Sequence, residues 1–174
     1  MKRLLAISGS LRNGSSNHAI LQHLGTLLQP DIEYTIYDDL ANIPAFDPAL
    51  DNDMPPAAVA NLRKLLAEAD GVIICTPEYA FGVPGALKNM LDWLVSSSSL
   101  VDKPVALITA SLGGEYAHAS LLLTLGALTA KLSDDTNLLI QFVRSKVAAD
   151  GTITDKETIE GLNDLLRIFL ATSN

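Results

Sequence analysis

The chain has little cysteine, few aromatic residues and a shortage of positive charge. A single thiol, Cys75, in 174 residues excludes an internal disulfide framework and any multi-cysteine zinc or iron–sulfur site. Twelve Lys and Arg face 20 Asp and Glu, a formal net charge of −8. The clustered cations that a phosphate backbone requires are missing, so nucleic acid is not an expected partner. Although 48% of the residues are hydrophobic, no uncharged apolar run reaches the roughly 18 residues of a membrane span. Met1-Lys2-Arg3 is followed by only Leu4-Leu5-Ala6-Ile7 before Ser8-Gly9-Ser10, whereas an export signal needs about seven apolar residues or more. A buried strand and a cytoplasmic location are the better reading. What remains is an acidic globular chain of one-domain length, able to bury about 70% of its unfolded surface without a staple.

Three short runs, Arg3–Ser8, Gly71–Thr76 and Pro104–Thr109, are apolar on both faces and bounded by turn residues, as strands inside a parallel sheet are. Ile32–Tyr37 alternates and reads as a strand nearer an edge; Asn137–Phe142 is a fifth. Between them, Ile20/Leu24/Leu27/Leu28 and Val59/Leu62/Leu65/Leu66 keep helical spacing, as do Leu87/Met90/Leu91/Leu94 behind Pro84 at an expected first helical position. A leucine-dense stretch, Leu121 to Leu132, and the set Ile159/Leu162/Leu166/Phe169 complete the helices. The alternation predicts an α/β fold: a doubly wound, five-stranded parallel sheet with helices on both faces, as one domain over residues 1–174. Asp38 to Pro56, with five Asp and four Pro, is too long for an ordinary connection; it reads as a surface excursion, or else a lid or subunit contact. Ser96–Ser99 reads as a solvated loop.

In such sheets ligands bind beyond the carboxyl ends of the strands, where strand order reverses. The loops after the first, third and fourth apolar strands are therefore candidates. The first, Gly9-Ser10-Leu11-Arg12-Asn13-Gly14-Ser15-Ser16-Asn17, offers hydroxyls, an amide, a guanidinium and a helix N-terminus, a set suited to phosphate. Its Gly9-x4-Gly14 spacing mimics a P-loop, but Ser15 stands where the lysine is required, and the G-x-G-x-x-G dinucleotide fingerprint is absent. The second, Thr76 to Gly85, is stiffened by Pro77 and Pro84 and offers backbone amides with Tyr79 and Phe81 to a planar ligand. The third, Ala110-Ser111-Leu112-Gly113-Gly114-Glu115, lets backbone approach a ligand or simply turns tightly. One loop for a monophosphate and two for a flat polar ring suggest a mononucleotide such as FMN, without separating it from other phosphorylated ligands. His18, His23 and His118 show no metal-ligand spacing, and Cys75 reads as a packed core thiol.

These loops carry a resemblance. Gly9-Ser10-Leu11-Arg12…Ser15-x-Asn17 resembles the G-S-x-R-x-x-S-x-N phosphate loop of the NAD(P)H-dependent FMN reductases, which include quinone, chromate and azo-dye reductases of flavodoxin-like fold. Pro77-Glu78-Tyr79…Pro84-Gly85-x-Leu87-Lys88-Asn89-x-x-Asp92-Trp93 is similar to the same family's P-E-Y-N-x-x-x-P-G-x-L-K-N-x-x-D-W signature. The resemblance implies noncovalent FMN, with Ser10, Arg12, Ser15, Ser16 and Asn17 around the phosphate. It places Pro77, Glu78, Tyr79 and Ala80 at the isoalloxazine and ribityl region, and Ser111, Gly113 and Gly114 beside them. Lys88, Asn89, Asp92 and Trp93 resemble helix and interface positions. Hydride would pass from NADPH or NADH through FMN to a small electron acceptor such as a quinone, free flavin, azo compound or chromate, in a homodimer or homotetramer. The cofactor carries that chemistry, so no catalytic side chain and no metal is expected. Two departures stand out: Ala80 replaces the family's Asn, and no Arg follows Gly113-Gly114, leaving the choice between NADPH and NADH open. A flavodoxin-type electron carrier shares the fold, but its T-x-T-G-N-T phosphate loop is not present. A flavin-binding sensor using the acidic 38–56 loop as its contact surface is the other alternative.

Overall fold

A computed structural model describes residues 1–12 and 14–173. Five strands, β1 (Lys2–Ser8), β2 (Ile32–Tyr37), β3 (Gly71–Thr76), β4 (Val105–Ala110) and β5 (Asn137–Ile140), form one sheet in the order β2-β1-β3-β4-β5. Every adjacent pair is parallel. Five α-helices, α1 (Ser16–Thr26), α2 (Ala57–Glu68), α3 (Gly85–Asp92), α4 (Glu115–Ala127) and α5 (Lys156–Thr172), cover it. This is the flavodoxin-like α/β arrangement expected. None of the described helices is long and apolar enough to cross a membrane.

The period-2 direction of strand side chains divides the interior into two cores. Leu4, Ala6, Ile73, Cys75, Ala106 and Ile108 face α1 and α5, which contribute Ile20, Leu24, Leu162 and Phe169. Leu5, Ile7, Val72, Ile74, Val105 and Leu107 face α2, α3 and α4, through Leu62, Leu66, Met90, Leu121 and Leu125. Truncating a fully buried Phe169 or Leu62 to Ala would remove about 2–5 kcal/mol. The central strands β1, β3 and β4 are apolar on both faces because both are covered, whereas β2 is half-buried along its length, as an edge strand is.

Element boundaries differ from the sequence expectation in several places: Leu27 and Leu28 lie beyond α1, Leu94 beyond α3, and α4 ends at Ala127 before Leu132. Pro104 lies outside β4 and supplies its carbonyl to the Val72 N–H at 3.0 Å, since a proline has no N–H for the ladder. Pro84 precedes α3 as its N-cap, with extended ψ of 133°, and its carbonyl accepts from the Lys88 N–H at 2.9 Å. β5 stops at Ile140 because Phe142 takes a positive φ of 52° and turns the chain into the 143–145 3-10 turn.

The long 38–56 segment is a surface excursion, but it is stapled down. Asn89 Nδ2 donates to the Pro44 carbonyl at 2.9 Å and Asn89 Oδ1 accepts from the Phe46 N–H at 2.8 Å. Trp93 Nε1 also donates to Pro44 O at 2.8 Å, while the Phe46 and Trp93 rings meet edge-on at 5.1 Å. Further along, Asp51 bonds Arg63 at 2.7 Å and Ser96 Oγ at 2.8 Å. These bonds, Arg63's first, hold the Asp51 carboxyl below its ordinary pKa. Asn89 and Trp93 of the signature are thus intrachain fasteners, and Ser96 is part of the clasp rather than merely solvated.

Candidate functional site

The strand order reverses between β1 and β3, and a cavity of about 440 Å³ opens beyond their carboxyl ends. Ser10, Arg12, Ser15, Ser16, Asn17, Pro77, Glu78, Tyr79 and Ser111 line it, with Ala110, Leu112, Val143 and Arg144. Three segments distant in sequence therefore meet at the switch point of the sheet.

The phosphate-side loop is shaped by close approach. Gly9 donates its N–H to Cys75 O at 2.8 Å, and a Cβ there would stand 2.2 Å from Thr76 Oγ1 and 2.7 Å from Thr76 Cβ. Only glycine lets β1 exit beside the end of β3. The chain then turns through Gly14, at φ +66°, to Ser15, the N-cap of α1, whose Oγ accepts from the His18 N–H at 3.2 Å. The Ser16 and Asn17 N–H groups, at the first two helical positions, have no intrahelical acceptor. Asn17 is buried, and its amide is engaged with the sheet. Nδ2 donates to Ala110 O and Oδ1 accepts from the Cys75 thiol, each at 3.3 Å. It ties α1 to β3 and β4. Cys75 is fully buried, and that burial pushes its thiol pKa upward. Asn13 lies outside the described residues.

The ring-side loop is a tight two-residue turn. Tyr79 and Gly82 exchange both backbone hydrogen bonds, at 3.0 and 2.9 Å, around Ala80 and Phe81 at φ +48° and +61°. Both central residues adopt the left-handed conformation that side chains disfavour. Phe81 is 76% exposed and packs edge-on against Tyr116 at 5.2 Å. Ala80 does not line the cavity.

Glu78 joins this loop to the third. Its carboxylate accepts from the Gly114 and Ala117 N–H groups at 3.3 and 2.9 Å, satisfying the N-terminus of α4 as a negative cap should. Ser111 Oγ accepts from the Glu78 N–H at 3.2 Å. Gly113 and Gly114 stand off the cavity wall. Gly114 has φ +116°, and its Cβ would strike Leu139 at 2.8 Å and Thr109 at 3.1 Å; the turn and its packing require the glycine. His118 Nδ1 lies 2.9 Å from Thr109 Oγ1, and burial lowers its pKa from 6.5.

Arg144 was not among the sequence candidates. The loop after β5 is fastened to the loop after β4, Phe142 N–H to Leu112 O at 3.1 Å and Val143 N–H to Ser111 O at 3.0 Å. That brings Arg144 to the cavity that Arg12 also lines. The signal was present: an arginine just after the fifth strand of an acidic chain, at the same sheet edge as the other three loops.

The donors suit FMN. Arg12 and Arg144 face no carboxylate among the described residues. Two free helical N–H groups and the Ser10 and Ser16 hydroxyls stand near Arg12, and the Pro77–Tyr79 wall can lie against a planar ring. The model of the NADPH-dependent FMN reductase family matches residues 2–143. The chain belongs to that family. Among its relatives, a quinone reductase of Escherichia coli is 32% identical over 96% of this chain and 93% of its own length. An NAD(P)H-dependent FMN reductase of Pseudomonas aeruginosa is 30% identical over 95% and 91%. The solved structure of an NAD(P)H:acceptor flavoenzyme from Paracoccus denitrificans superposes with a TM-score of 0.85 at 28% identity, covering 99% of this chain and 97% of that one. This FMN reductase is accordingly an NAD(P)H-dependent, FMN-using oxidoreductase.

Proposed function

We propose that this reductase carries electrons from NADPH or NADH to quinones or azo compounds, as the names of its relatives suggest, and to other small acceptors such as free flavins or chromate. The observation that carries the reading is one continuous cavity from the Ser10–Asn17 loop to Tyr79, with an exposed mouth at the ring end. Bound FMN supplies hydride acceptance and donation. Arg12, Arg144, Ser10, Ser16 and the α1 N-terminus hold its phosphate, with Ser15 and Asn17 fixing that loop. Pro77 and Tyr79 form the floor under the ring. Glu78, Gly113, Gly114 and Ser111 are positioning residues: the Gly113-Gly114 turn presents the Gly114 N–H to the Glu78 carboxylate, and Ser111 Oγ holds the Glu78 backbone N–H. No side chain need move a proton, so none is assigned as catalytic. A single domain over 1–174 suffices for this activity, and a cytoplasmic location, where nicotinamide nucleotides are replenished, belongs to the same proposal.

Self-association is part of it. The helix α4 buries Ala117, Leu121 and Leu125 yet exposes Tyr116 and Leu123, the latter by 78%. With Phe81, which packs on Tyr116, and Leu112 these are exposed apolar side chains that a second copy in a homodimer or homotetramer would cover. Light scattering of Leu123→Glu should show dissociation; an unchanged assembly moves the interface elsewhere.

The activity test is anaerobic mixing of FMN-loaded protein with NADPH or NADH while flavin absorbance is followed. Rapid bleaching by a stoichiometric nucleotide is the expected result. Bound flavin that ignores both nucleotides favours the carrier reading, and failure to bind FMN overturns the site.

A further inference from the structure

The cavity does not end at the phosphate-side loop. A second hollow, about 430 Å³, adjoins the first and is nearly its equal in volume. Arg12, Ser16 and Arg144 line both and form the junction. The far wall is made by Ala19 of α1 and by the 147–151 segment. That segment is closed into a small hairpin by the Ala148 N–H to Thr152 O bond at 2.8 Å and the pairing of Val147 with Ile153. Small side chains there, Ala148 and Ala149 among them, leave a shallow surface on which a flat base can rest.

Charge singles out this junction. Of the five arginines, Arg3 pairs with Glu33 at 3.1 Å, Arg63 with Asp51 at 2.7 Å and Arg167 with Asp164 at 3.1 Å. The two others, without an acidic partner among the described residues, are Arg12 and Arg144. In a chain of net charge −8, two arginines without an acidic partner that line the same two hollows mark an anion site. A flavin mononucleotide in the first hollow would leave the second open beyond its phosphate.

We propose that the second hollow is a subsite for the adenosine 5′-phosphate half of a dinucleotide, with Arg144 set between the two phosphates. This rests on the flavin reading of the first hollow. Two dinucleotides carry such a half: FAD, whose second phosphate is joined directly to the flavin phosphate, and the nicotinamide substrate.

The test uses Ala149→Glu, which alters an exposed residue lining only the second hollow. Apoprotein is titrated with FMN and, separately, FAD by flavin fluorescence, and KM for NADPH and NADH is measured on FMN-loaded protein. If FAD is the source, the variant loses about tenfold or more in FAD affinity while FMN affinity stays put. If the nicotinamide nucleotide is the source, its KM rises by about the same factor with FMN affinity again constant. Unchanged FAD affinity together with unchanged KM for both nucleotides overturns the subsite. Arg144→Gln is the second variant: it should weaken FAD, or raise the nucleotide KM, by a larger factor than it weakens FMN, and equal losses overturn the role between two phosphates. A wild-type chain that binds no FMN is a separate result, the failure of the flavin reading itself.

Discussion

The two ends of the cavity are built by opposite means. At the phosphate end the backbone is pinned by buried groups: Gly9 against Thr76, the Ser15 cap, and the Asn17 amide between Cys75 and Ala110. At the ring end an exposed turn holds two residues in left-handed backbone, and its aromatic tip lies in water or against Tyr116. The first end is rigid, so charged donors can wait unpaired in place for an anion at little further entropic cost. The second is open on one side, so different planar acceptors can reach the same position. On the proposed reading, affinity would come from one end and access for the acceptor from the other.

The comparison is broken most directly by substituting each end in turn. Arg12→Ala should weaken FMN by about 1.5–3 kcal/mol, the range for a charge-assisted hydrogen bond, and leave riboflavin affinity unchanged. Tyr79→Asp should weaken FMN and riboflavin equally; titration of both ligands against both variants checks the pair, and a loss confined to FMN in Tyr79→Asp would merge the two ends. Next in size, Gly9→Ala forces β1 from β3 and should cost about 1–3 kcal/mol of stability, read by urea denaturation. Ala80→Gly works the other way. It relieves the left-handed strain of about 1–2 kcal/mol, less the extra freedom given to the unfolded chain, so Tm should rise slightly; a fall would mean that the Ala80 methyl is needed.

The smallest effect concerns pH. Burial lowers the His118 pKa below 6.5 in the folded chain, so the unfolded chain takes the proton first as pH falls. The stability associated with neutral His118 is therefore complete above about pH 6.5 and is lost as pH falls through that value toward the folded pKa. Between about pH 8 and 5, Tm of the wild type should drop more than that of His118→Asn, sharpening how far the Thr109–His118 contact supports the third loop.

Much of the framework was readable without coordinates. The strands Ile32–Tyr37 and Gly71–Thr76 lie where apolar patterning put them, because burial on one face or two leaves its mark residue by residue. Nine of the twelve residues expected around the ligand line one cavity. Ala80, Gly113 and Gly114 do not, since a sequence pattern does not tell a glycine that admits a ligand from one that admits Leu139 and Thr109. Glu78 lines the cavity, but its carboxylate caps α4, a role that the sequence pattern does not reveal.

The sequence by itself determined the strand–helix alternation, the two-faced core and the phosphate-loop and P-E-Y motifs, since these depend on local period and on residues close together along the chain. Only the tertiary structure decided what lies 30 to 130 residues apart. It seated the acidic excursion on Asn89 and Trp93, and it brought Arg144 to the same cavity as Arg12. Those contacts arise when crossovers fold separate loops onto one edge of the sheet, and no local pattern encodes which loops become neighbours there.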